Sequence, residues 1–269
     1  MKAFNPKSYD RFYHLVESCV TLGRPCILQG AKGVGKTYML TELLSEWRCK
    51  KTIKSKRAVL YRQASTLENP ATALRSLVSH LTTDLPKGNR VSDLRVCFEN
   101  ALLASKIRLI IIDKAEAAKP ELYNTIWASL ERVKAKKHPV GLVLSYSEER
   151  DLLRSLPEIA ESLPVLGSFH MDALDAPNCL QALAYWVPVF KALDDALFGE
   201  DRECEAFKKA DYLASLIRSL TGGTLLELSD LAWYWQNQFP DRVPDISGIK
   251  EIWAMRGRIS PLIATISSE

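Results

Sequence analysis

The sequence predicts an α/β protein, a parallel sheet with helices on both faces, followed by a helical C-terminal domain. Three observations carry this. Short apolar runs alternate with helical stretches from residue 25 to about residue 172, which is the pattern of a parallel sheet covered on both sides. A gapless G-x-x-x-x-G-K-[ST] pattern follows the first of those runs directly. From about Asp175 long helical stretches continue without a convincing strand. The boundaries that follow are an N-terminal segment 1–24, an α/β nucleotide-binding domain 25–172, a helical domain 173–240 and a tail 241–269.

The elements are justified in order. Pro25 to Gln29 is an apolar run that reads as a buried strand, and Tyr38 to Trp47 reads as a helix. Ala58 to Gln63 is β-branched and aromatic, a second strand, and a helix over Pro70 to Leu81 follows. The stretch Thr82 to Arg90 is turn-rich; Ser92 then reads as the cap of an amphipathic helix with Leu94, Phe98, Leu102 and Leu103 along one side. Arg108 to Ile112 is a short apolar strand ending at Asp113. A helix over Pro120 to about Lys134, a strand over Val140 to Ser145, a helix around Glu149 to Leu156 and a short strand near Val165 to His170 complete the domain. The helical domain reads as Cys179 to Leu193, Cys204 to Leu220 and Leu225 to Phe239. Gly222 and Gly223 break between the last two, and Phe239-Pro240 ends the third.

Gly30-Ala-Lys-Gly-Val-Gly-Lys-Thr37 is a phosphate-binding loop between a strand and a helix. Glycines let the backbone curl so that its N–H groups face phosphate oxygens, Lys36 reaches the β and γ phosphates, and the Thr37 hydroxyl ligates Mg2+. The helix dipole adds to the attraction. ATP contacts are therefore assigned to Gly30, Lys32, Gly33, Val34, Gly35, Lys36, Thr37 and Tyr38. Leu109 to Asp113 is the apolar strand ending in an Asp that such sites use to hold the metal, so Thr37 and Asp113 are the expected Mg2+ residues. Hydrolytic ATPases of the AAA+ type place a Glu next, to orient the attacking water; here Lys114 follows, a cation that is no general base at neutral pH. Binding is expected to survive while hydrolysis is slow or absent, with Glu116 as the substitute acid if the backbone turns it inward. Ser145 is a candidate γ-phosphate sensor, and Arg150 and Arg154 are candidate arginine fingers toward a neighbouring subunit. The turn Thr221 to Leu228, where many AAA+ lids present an arginine, holds no basic residue.

Composition narrows the function classes. With 47% hydrophobic and 25% charged residues the chain is an ordinary globular one, and no apolar stretch approaches the roughly 20 residues of a membrane span. A cytoplasmic location with no membrane partner follows. Six scattered cysteines without a C-x-x-C pair indicate neither zinc nor a disulfide framework. The net charge of +4 is uneven: residues 1–60 hold 12 Lys/Arg against 4 Asp/Glu, which makes that part the expected face for a polyanion. No Asn-Lys-x-Asp motif marks a GTPase.

Taken together, the motifs resemble those of the TnsC/TniB transposition ATPases, small AAA+ proteins of transposon target selection. The residues that carry this are 30–37, Lys-Gly-Asn-Arg-Val-Ser-Asp-Leu-Arg (87–95), Leu-Ile-Ile-Ile-Asp-Lys-Ala-Glu-Ala-Ala-Lys-Pro (109–120) and Leu-Leu-Glu-Leu-Ser-Asp-Leu-Ala (225–232), in an order and spacing covering about residues 12–235. The resemblance implies a P-loop AAA+ ATPase domain with a helical lid, and ATP-dependent assembly as a ring or filament around double-stranded DNA. A transposase and a target-selecting protein are the implied partners. Lys87, Arg90 and Ser92, with Lys54 and Lys56, would then track DNA phosphates without sequence preference. Lys114 and the arginine-free lid turn depart from the family pattern. Two other readings stay open: a replication-initiator or loader type of DNA-stimulated ATPase using Glu116, and a signalling or defence NTPase, for which no appended domain is visible.

Overall fold

In the computed structural model, which describes residues 9–49, 58–66, 68–82, 88, 90–148 and 163–255, five parallel strands form one sheet. The strands are β1 (Pro25–Gly30), β2 (Ala58–Gln63), β3 (Ile107–Asp113), β4 (Gly141–Ser147) and β5 (Ser168–His170), in the spatial order β2-β3-β4-β1-β5. Parallel register sets Gly30 of β1 beside Ser147 of β4 and Gln63 of β2 beside Asp113 of β3. The chain leaves β1 toward β2 on one side and leaves β4 toward β5 on the other. Crevices at such a reversal, outside the carboxyl ends of the strands, are where ligands of open α/β sheets bind.

The sheet is buried on both faces, so its strands are continuously apolar rather than alternating. Ile110 and Ile112 of β3 and Leu142 and Leu144 of β4 share one core cluster with the helices α3 (Pro70–Leu81), α4 (Val91–Ala104) and α5 (Pro120–Ala135). Their neighbours Leu109, Ile111 and Val143 are buried as fully on the opposite face, as the two-residue period requires. Helix α1 (Tyr9–Leu22) packs on β4, β1 and β5 through Phe12, Val16 and Cys19; helix α2 (Lys36–Cys49) follows the phosphate loop. Helix α1 lies in the segment for which no element was expected, although Phe12, Val16, Cys19 and Val20 mark one helical face.

Residues 172–255, with the loop tip Gly33–Gly35, group as a second unit. It contains α6 (Ala176–Trp186), α7 (Lys191–Leu197), α8 (Glu205–Thr221), α9 (Leu225–Gln238) and α10 over residues 246–255. Trp235 of α9 is fully buried, edge-on to Phe190 with ring centroids 5.0 Å apart. No helix of the described residues is long and apolar enough to cross a membrane.

Two expectations need correcting. The helix expected over Cys179 to Leu193 is broken: α6 stops at Trp186, Val187 is extended (φ −126°, ψ 99°), and Pro188 opens a 3-10 turn. The cause is Pro188, which has no N–H to continue the ladder and pushes its predecessor out of the α region. Ser92 is not the cap of α4. That position is Arg90, whose carbonyl accepts from the N–H groups of Asp93 and Leu94, and Ser92 lies inside the first turn. The helix expected around Glu149 to Leu156 lies outside the described residues.

Candidate nucleotide-binding site

The site is built at the carboxyl ends of β1, β3 and β4. Strand β1 ends in Gly30, where a Cβ would sit 2.4 Å from the Met171 carbonyl oxygen, closer than any side chain tolerates. Gly33 (φ 83°) and Gly35 (φ 107°) hold left-handed backbone that residues with a Cβ avoid. Lys36 opens α2 and is only 7% exposed. Its ammonium donates to the Gly30 and Ala31 carbonyl oxygens at 2.8 Å each, which holds it along the loop.

At the next position of the same helix, the Thr37 hydroxyl donates to Asp113 Oδ2 at 2.7 Å. Asp113, 1% exposed, also accepts from the Tyr61 hydroxyl at 3.1 Å and, through Oδ1, from the Lys114 N–H at 2.9 Å. Burial raises the Tyr61 phenol above its ordinary pKa and the Asp113 charge adds to this, so the hydroxyl keeps its proton and donates. A hydroxyl and a carboxylate this close are hard oxygen donors of the kind Mg2+ takes, and the glycine-lined loop with a fixed ammonium fits a polyphosphate. Among the described residues no group of three or more His, Cys, Asp or Glu stands ready for another metal.

Lys114 takes the left-handed conformation (φ 54°, ψ 44°) and is exposed. The chain then enters a 3-10 turn over Ala115–Ala117, which swings Glu116 back toward the sheet. Glu116 Oε2 accepts from the Ser147 N–H at 3.2 Å. Since Ser147 pairs with Gly30 and the Glu148 N–H donates to the Gly30 oxygen at 3.1 Å, that carboxylate stands beside the root of the phosphate loop.

The remaining site residues divide. Val34 is buried, Lys32 and Thr37 are exposed and Tyr38 is half-buried. Ser145 is fully buried opposite Leu28, two residues short of the strand end, with no hydrogen bond to its Oγ among the described residues. Arg90 and Ser92 are exposed at the start of α4, where the Ser92 hydroxyl donates to Asp93 at 3.2 Å. Arg150, Arg154, Lys54, Lys56 and Lys87 lie outside the described residues. Sequence reasoning missed Tyr61 on β2; its only signal was a polar-tipped residue near the end of a strand adjoining β3.

In the second unit, Thr224 caps α9 by accepting from the Glu227 N–H at 3.3 Å, and the Leu226 N–H donates to the Gly33 oxygen at 3.1 Å. The turn between Thr221 and Leu228 holds no cation of its own, yet one reaches it from the preceding helix. A Cβ built on Gly223 would lie 2.7 Å from Arg218 Nε.

Residues 21–153 match the family model described as an AAA domain. No match was found among curated proteins. Among solved structures the chain is similar to the ORC2 protein of Aeropyrum pernix in its ADP form, with 15% identity and a TM-score of 0.61 over 94% of this chain and 69% of that one. It is also similar to a Walker-type ATPase of Pyrococcus abyssi, with 12% identity and a TM-score of 0.61 over 99% and 76%. A third is the Aeropyrum pernix ORC1 protein in complex with DNA, with 13% identity and a TM-score of 0.57 over 96% and 67%. At such identities the likeness is one of fold.

Proposed function

We propose that the chain, whose residues 21–153 match an AAA-domain model and whose fold is that of the AAA+ P-loop ATPases, is an ATP-binding, DNA-associated regulator of transposition. It assembles as a ring or filament on double-stranded DNA and links a target-selecting protein to the transposase. The observation that carries the nucleotide part is the Thr37–Asp113 contact beside the Lys36 ammonium. ATP supplies the phosphates and Mg2+ their charge neutralisation. Lys36 binds the β and γ oxygens, the N–H groups of 33–37 cradle them, and Thr37 with Asp113 holds the metal. The DNA part is supported by the basic charge of residues 1–60 and by the fold shared with an ORC1 protein solved on DNA. Arg90 and Ser92, with Lys54, Lys56 and Lys87, track the phosphates. The transposition part rests on the resemblance of the four motifs to those of the TnsC/TniB family.

A second reading of the hydrolysis step is favoured by one observation, the inward turn of Glu116 to the end of β4. Lys114, exposed and cationic, orients no water, whereas Glu116 is a carboxylate at the loop's root. The test is ATP turnover with and without double-stranded DNA, on protein shown in the same sample to assemble on it. If Glu116 orients the water, Glu116→Gln lowers turnover about 100-fold or more while leaving ATP-dependent assembly intact, and Lys114→Glu changes turnover little. Assembly with negligible wild-type turnover, raised by Lys114→Glu, returns the protein to a locked adaptor. Absence of nucleotide-dependent assembly on DNA overturns the regulator itself.

A further inference from the structure

The amino ends of the strands form a second charged surface, made entirely within the α/β unit. Arg24 precedes β1, Lys106 precedes β3 and Arg108 is its second residue. Lys134 lies in the last turn of α5, and Lys136 and Lys137 in the turn that follows. Contacts tie these segments into one edge. Lys134 Nζ donates to the Gly23 oxygen at 3.4 Å, Arg108 donates to the Pro139 oxygen at 3.2 Å, and the His138 ring meets the Ile107 oxygen at 3.0 Å. Gly23 itself lies against Pro139.

The positive charge of this edge is left almost uncompensated. The two arginines are bonded to neutral carbonyls, Arg24 to Pro164 at 3.2 and 3.1 Å and Arg108 to Pro139. Lys106, Lys136 and Lys137 are exposed. Among the described residues the one carboxylate within ion-pair distance of the six is Glu131, at 3.8 Å from Lys134. A helix C-terminus attracts cations, which accounts for Lys134 and Lys136 but not for three further cations brought in by two other segments. Lys137 stands in the left-handed region at φ 63°, the place of a glycine or asparagine after a helix. An ordinary helix stop gives no reason for a lysine there.

We propose that this edge is a second nucleic-acid surface, binding the phosphate backbone of double-stranded DNA without sequence preference, on the side of the sheet away from the nucleotide. The partner is set by charge complementarity: the exposed ammonium groups of Lys106, Lys136 and Lys137, with no carboxylate of the described residues in ion-pair reach, suit a regularly spaced polyanion. The inference adds a surface to the DNA reading given above and rests on that reading for the identity of the polyanion.

The test uses the full chain with Lys106, Lys136 and Lys137 changed together to Gln, which breaks no hydrogen bond reported for the edge. Affinity for a random-sequence duplex is measured at 50 and 200 mM salt. Three lost phosphate contacts lower the salt slope by about 2.7, so the weakening between the two salts shrinks about 40-fold relative to wild type. ATP affinity is unchanged in the same protein, which shows that it is folded. Unchanged DNA affinity and slope in the triple variant overturn the second surface; if Arg90→Glu then weakens binding, the DNA reading itself stands. A wild type that ignores DNA and binds vesicles of phosphatidylserine overturns both.

Discussion

The two ends of the sheet treat charge in opposite ways. At the carboxyl end Lys36, Asp113 and Glu116 each meet specific partners: Lys36 two carbonyls, Asp113 three donors and Glu116 a backbone N–H. Behind it, at the end of β2, Arg62 and Glu68 form an ion pair at 2.6 Å with side chains 9% and 3% exposed. At the amino end six cations share one carboxylate at 3.8 Å. The difference teaches that local structure reveals what an end is for. A network with its donors and acceptors already matched holds one small anion in one geometry, whereas loose, unmatched charge suits a long polyanion whose phosphates settle at several sites.

The sharpest way to break the comparison is to remove compensation where it exists. Glu68→Gln leaves the Arg62 guanidinium buried without its carboxylate, and stability is expected to fall by about 3–5 kcal/mol. Denaturant unfolding monitored by tryptophan fluorescence checks this. Lys136→Gln, at the other end, removes an exposed charge and is expected to move stability by less than about 0.5 kcal/mol. Equal effects at both ends would erase the distinction.

A smaller effect is expected at the ligand itself. Lys36→Ala removes the ammonium that the loop carbonyls hold in place, and ATP affinity is expected to fall about 100-fold, the value of a charge-assisted hydrogen bond near the upper end of its range. Calorimetry with ATP and Mg2+ measures it. Binding of DNA at the amino edge, tested without nucleotide, is expected to be unaffected, because that edge shares no residue with the loop.

The carboxyl end was largely legible in the sequence, the amino end not at all. The loop 30–37 and the run 109–113 are each contiguous, so one stretch of chain states both the residues and their arrangement. The strand Ala58–Gln63 and the helix Pro70–Leu81 stand where the local pattern put them, since β-branched residues and an Asn69-Pro70 start agree with the tertiary context. The inward turn of Glu116 was less legible, because it depends on a left-handed Lys114 that nothing in the local sequence demands. The amino edge is assembled from residues 24, 106–108 and 134–137, which only the parallel strand order brings together. Pro188, by contrast, was a local signal overridden by the apolar pattern running through it.

The finest test separates stability from function at one residue. Lys137 pays a conformational cost for its position: left-handed backbone costs a residue with a Cβ about 1 kcal/mol, while glycine adopts it freely. Part of that gain is returned through the greater freedom of glycine in the unfolded chain, so Lys137→Gly is expected to stabilise by about 0.5 kcal/mol, or roughly 1–2 °C in Tm. If the turn serves only to stop α5, DNA affinity is indifferent to the change. If the lysine is held there for its charge, the same substitution that stabilises the fold lowers the salt slope of DNA binding by about 0.9, one phosphate contact. Opposite signs for stability and affinity are what a structural role for Lys137 does not produce.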